Sequence, residues 1–182
     1  MKNYDDVQLV EAHKHGNREA FNELVRRYQE RIYWVVRRLV NSHDDSLDIA
    51  QDVFIRAFQN LEGFRGDAQF FTWIYKIAVN LSLNHIRKRK IRNLLHVDDF
   101  LEIIADNEFR PDIPLEKEQF SDILQKAIAT LPTKQKAVFL MRYFDEMPYD
   151  EIAKVLNRTT GALKANYFHA VRKIEDFIKH EM

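Results

Sequence analysis

Residues 44–61 read DDSLDIAQDVFIRAFQNL, residues 62–71 read EGFRGDAQFF, and residues 72–92 read TWIYKIAVNLSLNHIRKRKIR. The first stretch predicts a helix. Asp44, Asp48 and Asp52 recur every four residues, which sets three carboxylates on one face. Ile49, Val53, Ala57 and Leu61 form an apolar stripe of helical period on the other. Gly63 and Gly66 then interrupt the pattern, with Phe64 and Arg65 between them. A second helix begins in an aromatic cluster (Phe70, Phe71, Trp73, Tyr75) and ends in Arg87, Lys88, Arg89, Lys90 and Arg92. Rings beside a cationic run suit single-stranded nucleic acid, because base faces stack on rings while cations follow phosphates. The same residues also read as core aromatics followed by a solvated helix end that the macrodipole favours.

Working outward toward the N-terminus, residues 5–15 predict a short helix with Gly16 as its C-cap. Asn17 is placed to cap a long amphipathic helix through about Val40, with Phe21, Leu24, Val25, Tyr28, Ile32, Val35, Val36 and Leu39 at core spacing. Its polar face holds Arg26, Arg27, Arg31, Arg37 and Arg38, read as ordinary solvated positions. Asn41, Ser42 and His43 break that helix and supply caps for the next.

In the other direction, residues 93–114 have no sustained period, many carboxylates and two prolines, and predict an extended tether. Residues 115–130 restart helical spacing, and Leu131-Pro132-Thr133 ends it. Lys134–Phe144 predicts a further helix and Tyr149–Leu156 a short one after Pro148, a residue that helix starts tolerate. Asn157-Arg158-Thr159 makes a tight turn, with Thr159 placed to cap a long helix from Thr160 to about His180. Two helices joined this way, with Ile152, Val155, Leu156, Leu163 and Tyr167 between them, form a helix-turn-helix. The second helix of such a motif meets base edges in the major groove. Its outward positions are Thr160, Lys164, Ala165, Phe168, His169 and Arg172.

Composition narrows the function classes. The chain of 182 residues has no cysteine, hence no disulfide framework and no thiolate chemistry. Four Gly and four Pro among abundant Leu, Ala, Lys, Arg and Glu point to an all-helical chain. No apolar run reaches the roughly 20 residues that span a bilayer, so no direct membrane insertion is expected. The formal charge of zero hides a segregation. Residues 1–92 carry 16 Lys/Arg against 12 Asp/Glu, residues 93–120 two against eight, and residues 121–182 ten against eight. An acidic connector between two mildly basic modules predicts weak binding to free duplex, since affinity rises with the phosphates neutralised.

The run DIAQDVFIRAFQNLEGFRG…FFTWIYKIAVNLSLNHIRKRK resembles the second conserved region of a bacterial sigma-70 family sigma factor, and the compact extracytoplasmic-function group above all. LPTKQKAVFLMRYFDEMPYDEIAKVLNRTTGALKANYFHAVRKI resembles the fourth conserved region of the same family. The resemblance implies an all-α fold of two small helical domains. Residues 1–92 would be region 2, residues 93–114 an acidic flexible linker, and residues 115–182 the region 4 helix-turn-helix. It implies a cytoplasmic, non-enzymatic subunit without cofactor or metal that gives core RNA polymerase its promoter specificity. Asp48, Gln51, Asp52 and Phe54 would dock on the clamp helices of one large polymerase subunit, and the second domain on the flap of the other. Phe64, Arg65, Phe70, Phe71, Trp73, Asn80, Asn84, Arg87, Lys88 and Arg89 would engage the melted −10 strand. Thr159, Thr160, Lys164, Ala165, Phe168, His169 and Arg172 would engage −35 duplex. An anti-sigma factor is the further partner implied. The chain departs from the family pattern at Pro148, where Ser is usual, and at Ala165 and Asn166, where Ser and Arg are usual. These departures bear on which −35 sequence is read.

Two other classes fit parts of the chain. A stand-alone helix-turn-helix regulator needs a dimer interface or sensor module that residues 1–92 do not suggest, and it would shift duplex DNA without polymerase. A metal-dependent hydrolase built on Asp44, Asp48 and Asp52 needs an opposing His or Glu cluster. The seven histidines offer nothing beyond a loose His13-x-His15.

Overall fold

The computed structural model describes residues 4–95 and 115–181. The chain separates into two compact units, Met1–Phe100 and Leu101–Met182. Every element among the described residues is helical.

The first unit contains α1 (Asp6–Lys14), α2 (Arg18–Val40), α3 (His43–Asn60), a 3-10 turn (Leu61–Gly63) and α4 (Phe70–Leu95). Local chemistry sets each boundary. Asp5 and Gln8 form a reciprocal capping box at the start of α1. Gly16 turns the chain at φ +92°, and the Asn17 side chain accepts from the Glu19 N–H to begin α2. Asn41 ends α2 in the left-handed region at φ 60°, and the Ser42 side chain then caps α3. The αL residue is Asn because its short polar side chain tolerates that region better than most. α2 is the hub, packing on α1, α3 and α4. Ala20, Leu24, Ile32 and Val36 are fully buried along it, and Val53, Ala57, Leu61, Ile74, Ala78 and Val79 on the elements it packs against or next to are equally buried. The apolar stripe expected at Ile49, Val53, Ala57 and Leu61 is therefore the inner face of α3 and its 3-10 extension. α4 runs three residues beyond the expected end at Arg92. The remaining tether, residues 96–114, lies outside the described residues.

The second unit contains α5 (Leu115–Thr130), α6 (Thr133–Tyr143), α7 (Tyr149–Leu156) and α8 (Thr160–Glu181). α8 is its hub, touching α5, α6 and α7. Pro132 and Pro148 occupy the N-cap positions of α6 and α7, where a missing N–H costs nothing. Asn157 takes φ 52°, ψ 55° and turns the chain between α7 and α8. Ile152, Val155 and Leu163 are buried across that turn, and Leu156 and Tyr167 are half-buried. The expected helix-turn-helix is thus present, with α7 bounded as the sequence predicts.

Candidate functional site

Three surfaces stand out, the first on α3. Asp44, Asp48 and Asp52 are exposed along it, beside Leu47, Ile55 and Phe58, each exposed by close to half its area. Three large apolar side chains left open on one helix are a cost unless something covers them. An open groove of about 860 Å³ runs between α2 and α3, lined by Val25, Tyr33, Leu47, Gln51, Phe54 and Phe58 among others. Of the four expected docking residues, Gln51 and Phe54 line this groove, and Asp48 and Asp52 stand exposed on the same helix. At its α1 end, His13, Phe21 and Phe58 form an aromatic trio with ring centroids 5.2–5.6 Å apart.

The second surface is the loop 64–69 with α4. Here the structure corrects the aromatic assignment. Phe64 and Phe70 keep 5% and 2% of their area exposed, so neither ring offers a face to a base. They pack edge to face at 5.9 Å, and Trp73 sits 5.3 Å and 5.7 Å from them. The reason is that the loop must close the end of the helical core, and its phenyl rings are the apolar material available to do so. Lys14 Nζ donates to the Phe64 carbonyl at 2.9 Å and ties the loop to α1. Phe71 and Trp73 stay half-buried, and Arg65, Asn80, Asn84, Arg87 and Lys88 are exposed. Arg87 donates to the Asn84 side-chain carbonyl at 3.0 Å. Arg89 is drawn inward to Asp45 at 3.9 Å, and the same carboxylate lies 3.4 Å from His85 Nε2. That carboxylate sets the first turn of α3 beside two residues of α4, a proximity across forty residues that no local pattern announces.

Beside the loop lies an arrangement that sequence reasoning missed. The Arg31 guanidinium of α2 sits 3.7 Å over the centroid of the Phe71 ring. Tyr28, one turn earlier on α2, stacks on Phe71 at 5.6 Å, and Tyr75 meets it edge-on at 5.7 Å. The Tyr28 hydroxyl donates to Asp6. Burial, the hydrogen bond to Asp6 and the charge of that carboxylate push the Tyr28 hydroxyl up to about 12, with Arg31 and Arg27 opposing.

The third surface is the outer face of α8. Lys164, Ala165, Phe168, His169 and Arg172 are exposed and Thr160 is half-buried, while Leu163, Ala170 and Ile174 point inward. Phe168 keeps 53% of its area, and Arg172, one turn on, lies 5.0 Å over its ring. The Thr159 hydroxyl accepts from the Ala162 N–H at 3.4 Å and so serves as the cap of α8.

The chain matches two family models, described as Sigma-70 region 2 over residues 24–91 and Sigma-70, region 4 over residues 121–174. It is 33% identical to the ECF RNA polymerase sigma factor SigW of Bacillus subtilis, over 83% of this chain and 84% of that one. It is 32% identical to the ECF RNA polymerase sigma-E factor of Escherichia coli K12, over 96% and 94%. Among solved structures it resembles the sigma factor RpoE of Bartonella quintana, crystallised with the anti-sigma factor NepR, at TM-score 0.71 and 18% identity, over 87% of this chain and 96% of that one. It also resembles CnrH, solved with the cytosolic domain of CnrY, at TM-score 0.70 and 21% identity, over 98% and 99%. At those identities the two structural likenesses speak for the fold.

Proposed function

The chain belongs to the sigma-70 family of RNA polymerase sigma factors, in its extracytoplasmic-function group, and on that premise we propose that it docks on core RNA polymerase and directs promoter recognition and transcription initiation. The observation that carries the docking is the α3 surface, where exposed carboxylates flank an open apolar groove. A surface of this kind suits a basic, amphipathic helical partner, which the clamp helices of the polymerase would supply. Gln51 and Phe54 would be covered on docking while Asp48 and Asp52 meet cations at the rim. Rim charges of this sort raise encounter rate and fix orientation more than they add affinity.

In functional terms residues 1–92 serve the −10 region, residues 93–114 connect, and residues 115–182 serve the −35 element and the flap. Arg65, Asn80, Asn84, Arg87, Lys88 and Arg89 face the melted strand, the asparagines as amides for an unpaired base and the cations as phosphate contacts. Phe71 and Trp73 border them, and Phe64 and Phe70 hold the loop's shape from inside. On α8, Thr160, Lys164, Ala165, Phe168, His169 and Arg172 face the −35 major groove, and Thr159 presents them by capping the helix. Extruding a base costs a few kcal/mol. Stacking returns about 1–3 kcal/mol per base. One or two captured bases therefore roughly balance the opening, and polymerase contacts supply the rest. The protein is not an enzyme; its product is a choice of start site.

The relatives solved with bound partners suggest an anti-sigma factor here as well, covering surfaces that polymerase would otherwise occupy. A place beside polymerase in the cytoplasm follows from the function. Among the described residues no helix is long and apolar enough to cross a membrane.

The test is comigration of purified protein with bacterial core RNA polymerase on gel filtration, with Asp52→Arg as the comparison. Comigration that the substitution abolishes is the expected result. A protein that ignores core polymerase and shifts duplex DNA alone would sink the reading in favour of a stand-alone regulator.

A further inference from the structure

The arginines of α2 have unequal employment. Arg26 pairs with Glu23 at 2.7 Å and with Glu19 at 3.7 Å. Arg27 pairs with Asp6 and Glu23 and donates to the Tyr4 carbonyl. Arg37 is buried and bonds to the Asn41 side chain. Arg31 is exposed and makes no ion pair among the described residues. Its guanidinium is held instead 3.7 Å above Phe71, with Tyr28 and Tyr75 fixing that ring.

An arginine on a ring keeps its charge and its donors, because the π face neutralises neither. A surface cation with a carboxylate nearby is already answered. This one is not, and its position is set by a shelf of three aromatics from two helices. The shelf also explains why Phe71 is a poor platform for a base: the guanidinium occupies the approach to it. Phe71 lies in the first turn of α4, directly after the Gly66 loop that the proposed function assigns to the melted strand.

We infer that Arg31 is a binding residue for single-stranded DNA, offering its guanidinium plane to an unpaired base and its charge to the adjoining phosphate. Bases stack on guanidinium planes as they do on rings. On this inference α2, otherwise the structural hub of the first unit, contributes directly to holding the open strand. Phe71 acts through Arg31 as a positioning residue. The inference rests on the sigma-factor reading, and its test separates the two.

Holoenzyme would be assembled from full-length protein and core polymerase, and its binding to a fluorescein-labelled random single-stranded 20-mer measured by anisotropy against core polymerase alone. Comigration with core and the urea midpoint of each variant would be recorded in parallel. If unaltered protein fails to join core polymerase, the fault lies with the function. If it joins, Arg31→Ala is expected to weaken single-strand binding at least about fivefold and to lower the salt slope by about 0.7, the share of one phosphate. Arg31→Lys keeps the slope and loses part of the affinity, because the charge stays and the plane goes. Phe71→Leu added to Arg31→Ala costs nothing further. Equal binding by Arg31→Ala and unaltered holoenzyme would overturn the inference. So would a loss that follows only a lowered urea midpoint or lost comigration.

Discussion

An arginine lies over a phenylalanine in each unit, and the two pairs are unlike. Arg172 and Phe168 are neighbours one turn apart on α8, 5.0 Å from guanidinium to ring, with Phe168 more than half exposed. Arg31 and Phe71 come from different helices and lie 3.7 Å apart, with the ring wedged among tyrosines. The first pair follows from helical geometry alone, since residues four apart share a face. The second exists only because α2 and α4 pack. The same contrast runs through the aromatics of the two surfaces. In the first unit Phe64 and Phe70 have been drawn into the core, whereas Phe168 on α8 was left for solvent or DNA. Aromatic composition next to cations does not by itself separate a stacking platform from a core plug.

The contrast is broken most forcefully at the rings themselves. Phe70→Ala is expected to cost about 3–5 kcal/mol of first-unit stability, the usual range for a buried phenyl ring. Phe168→Ala should change second-unit stability by no more than about 0.5 kcal/mol, as for other exposed side chains. Urea titrations of both variants measure this, and equal losses would erase the distinction between the two surfaces.

A smaller effect sharpens it on α4. Asp45 lies 3.9 Å from Arg89, so Asp45→Asn should release a cation that the proposed function gives to phosphate. Single-strand binding by the holoenzyme should strengthen, with a salt slope steeper by up to about 0.7. An unchanged slope would mean that Arg89 is already free for phosphate despite its carboxylate.

The last effect is confined to alkaline pH and lies at Tyr28, one of the three aromatics that seat Arg31. Its hydroxyl is raised from 10.0 to about 12, so the unfolded chain loses this proton first as pH rises. The stability from keeping Tyr28 protonated is full below pH 10 and is lost between pH 10 and about 12. Tyr28→Phe should flatten that alkaline limb of the stability curve while leaving the slope near neutral pH alone. Denaturant midpoints across the range decide it.

The helices, the caps at Asn17, Ser42 and Thr159, the tight turn at Asn157-Arg158-Thr159 and the outward face of α8 were all legible in the sequence. Each rests on residues within about four positions of one another, where backbone geometry leaves few choices. The apolar stripe of α3 was legible for the same reason. The surface carboxylates Asp44, Asp48 and Asp52 were also legible, because charge stays in water unless it is paired.

Only the tertiary structure decided the burial of Phe64 and Phe70, the groove between α2 and α3, the proximity of Asp45 to His85 and Arg89, and the seat of Arg31 on Phe71. Each joins side chains from elements that meet by packing. Arg31 reads as one more solvated arginine until α4 arrives beside it. Helical period fixes which way a side chain points along its own axis; what it then meets depends on which helix the hydrophobic core draws alongside.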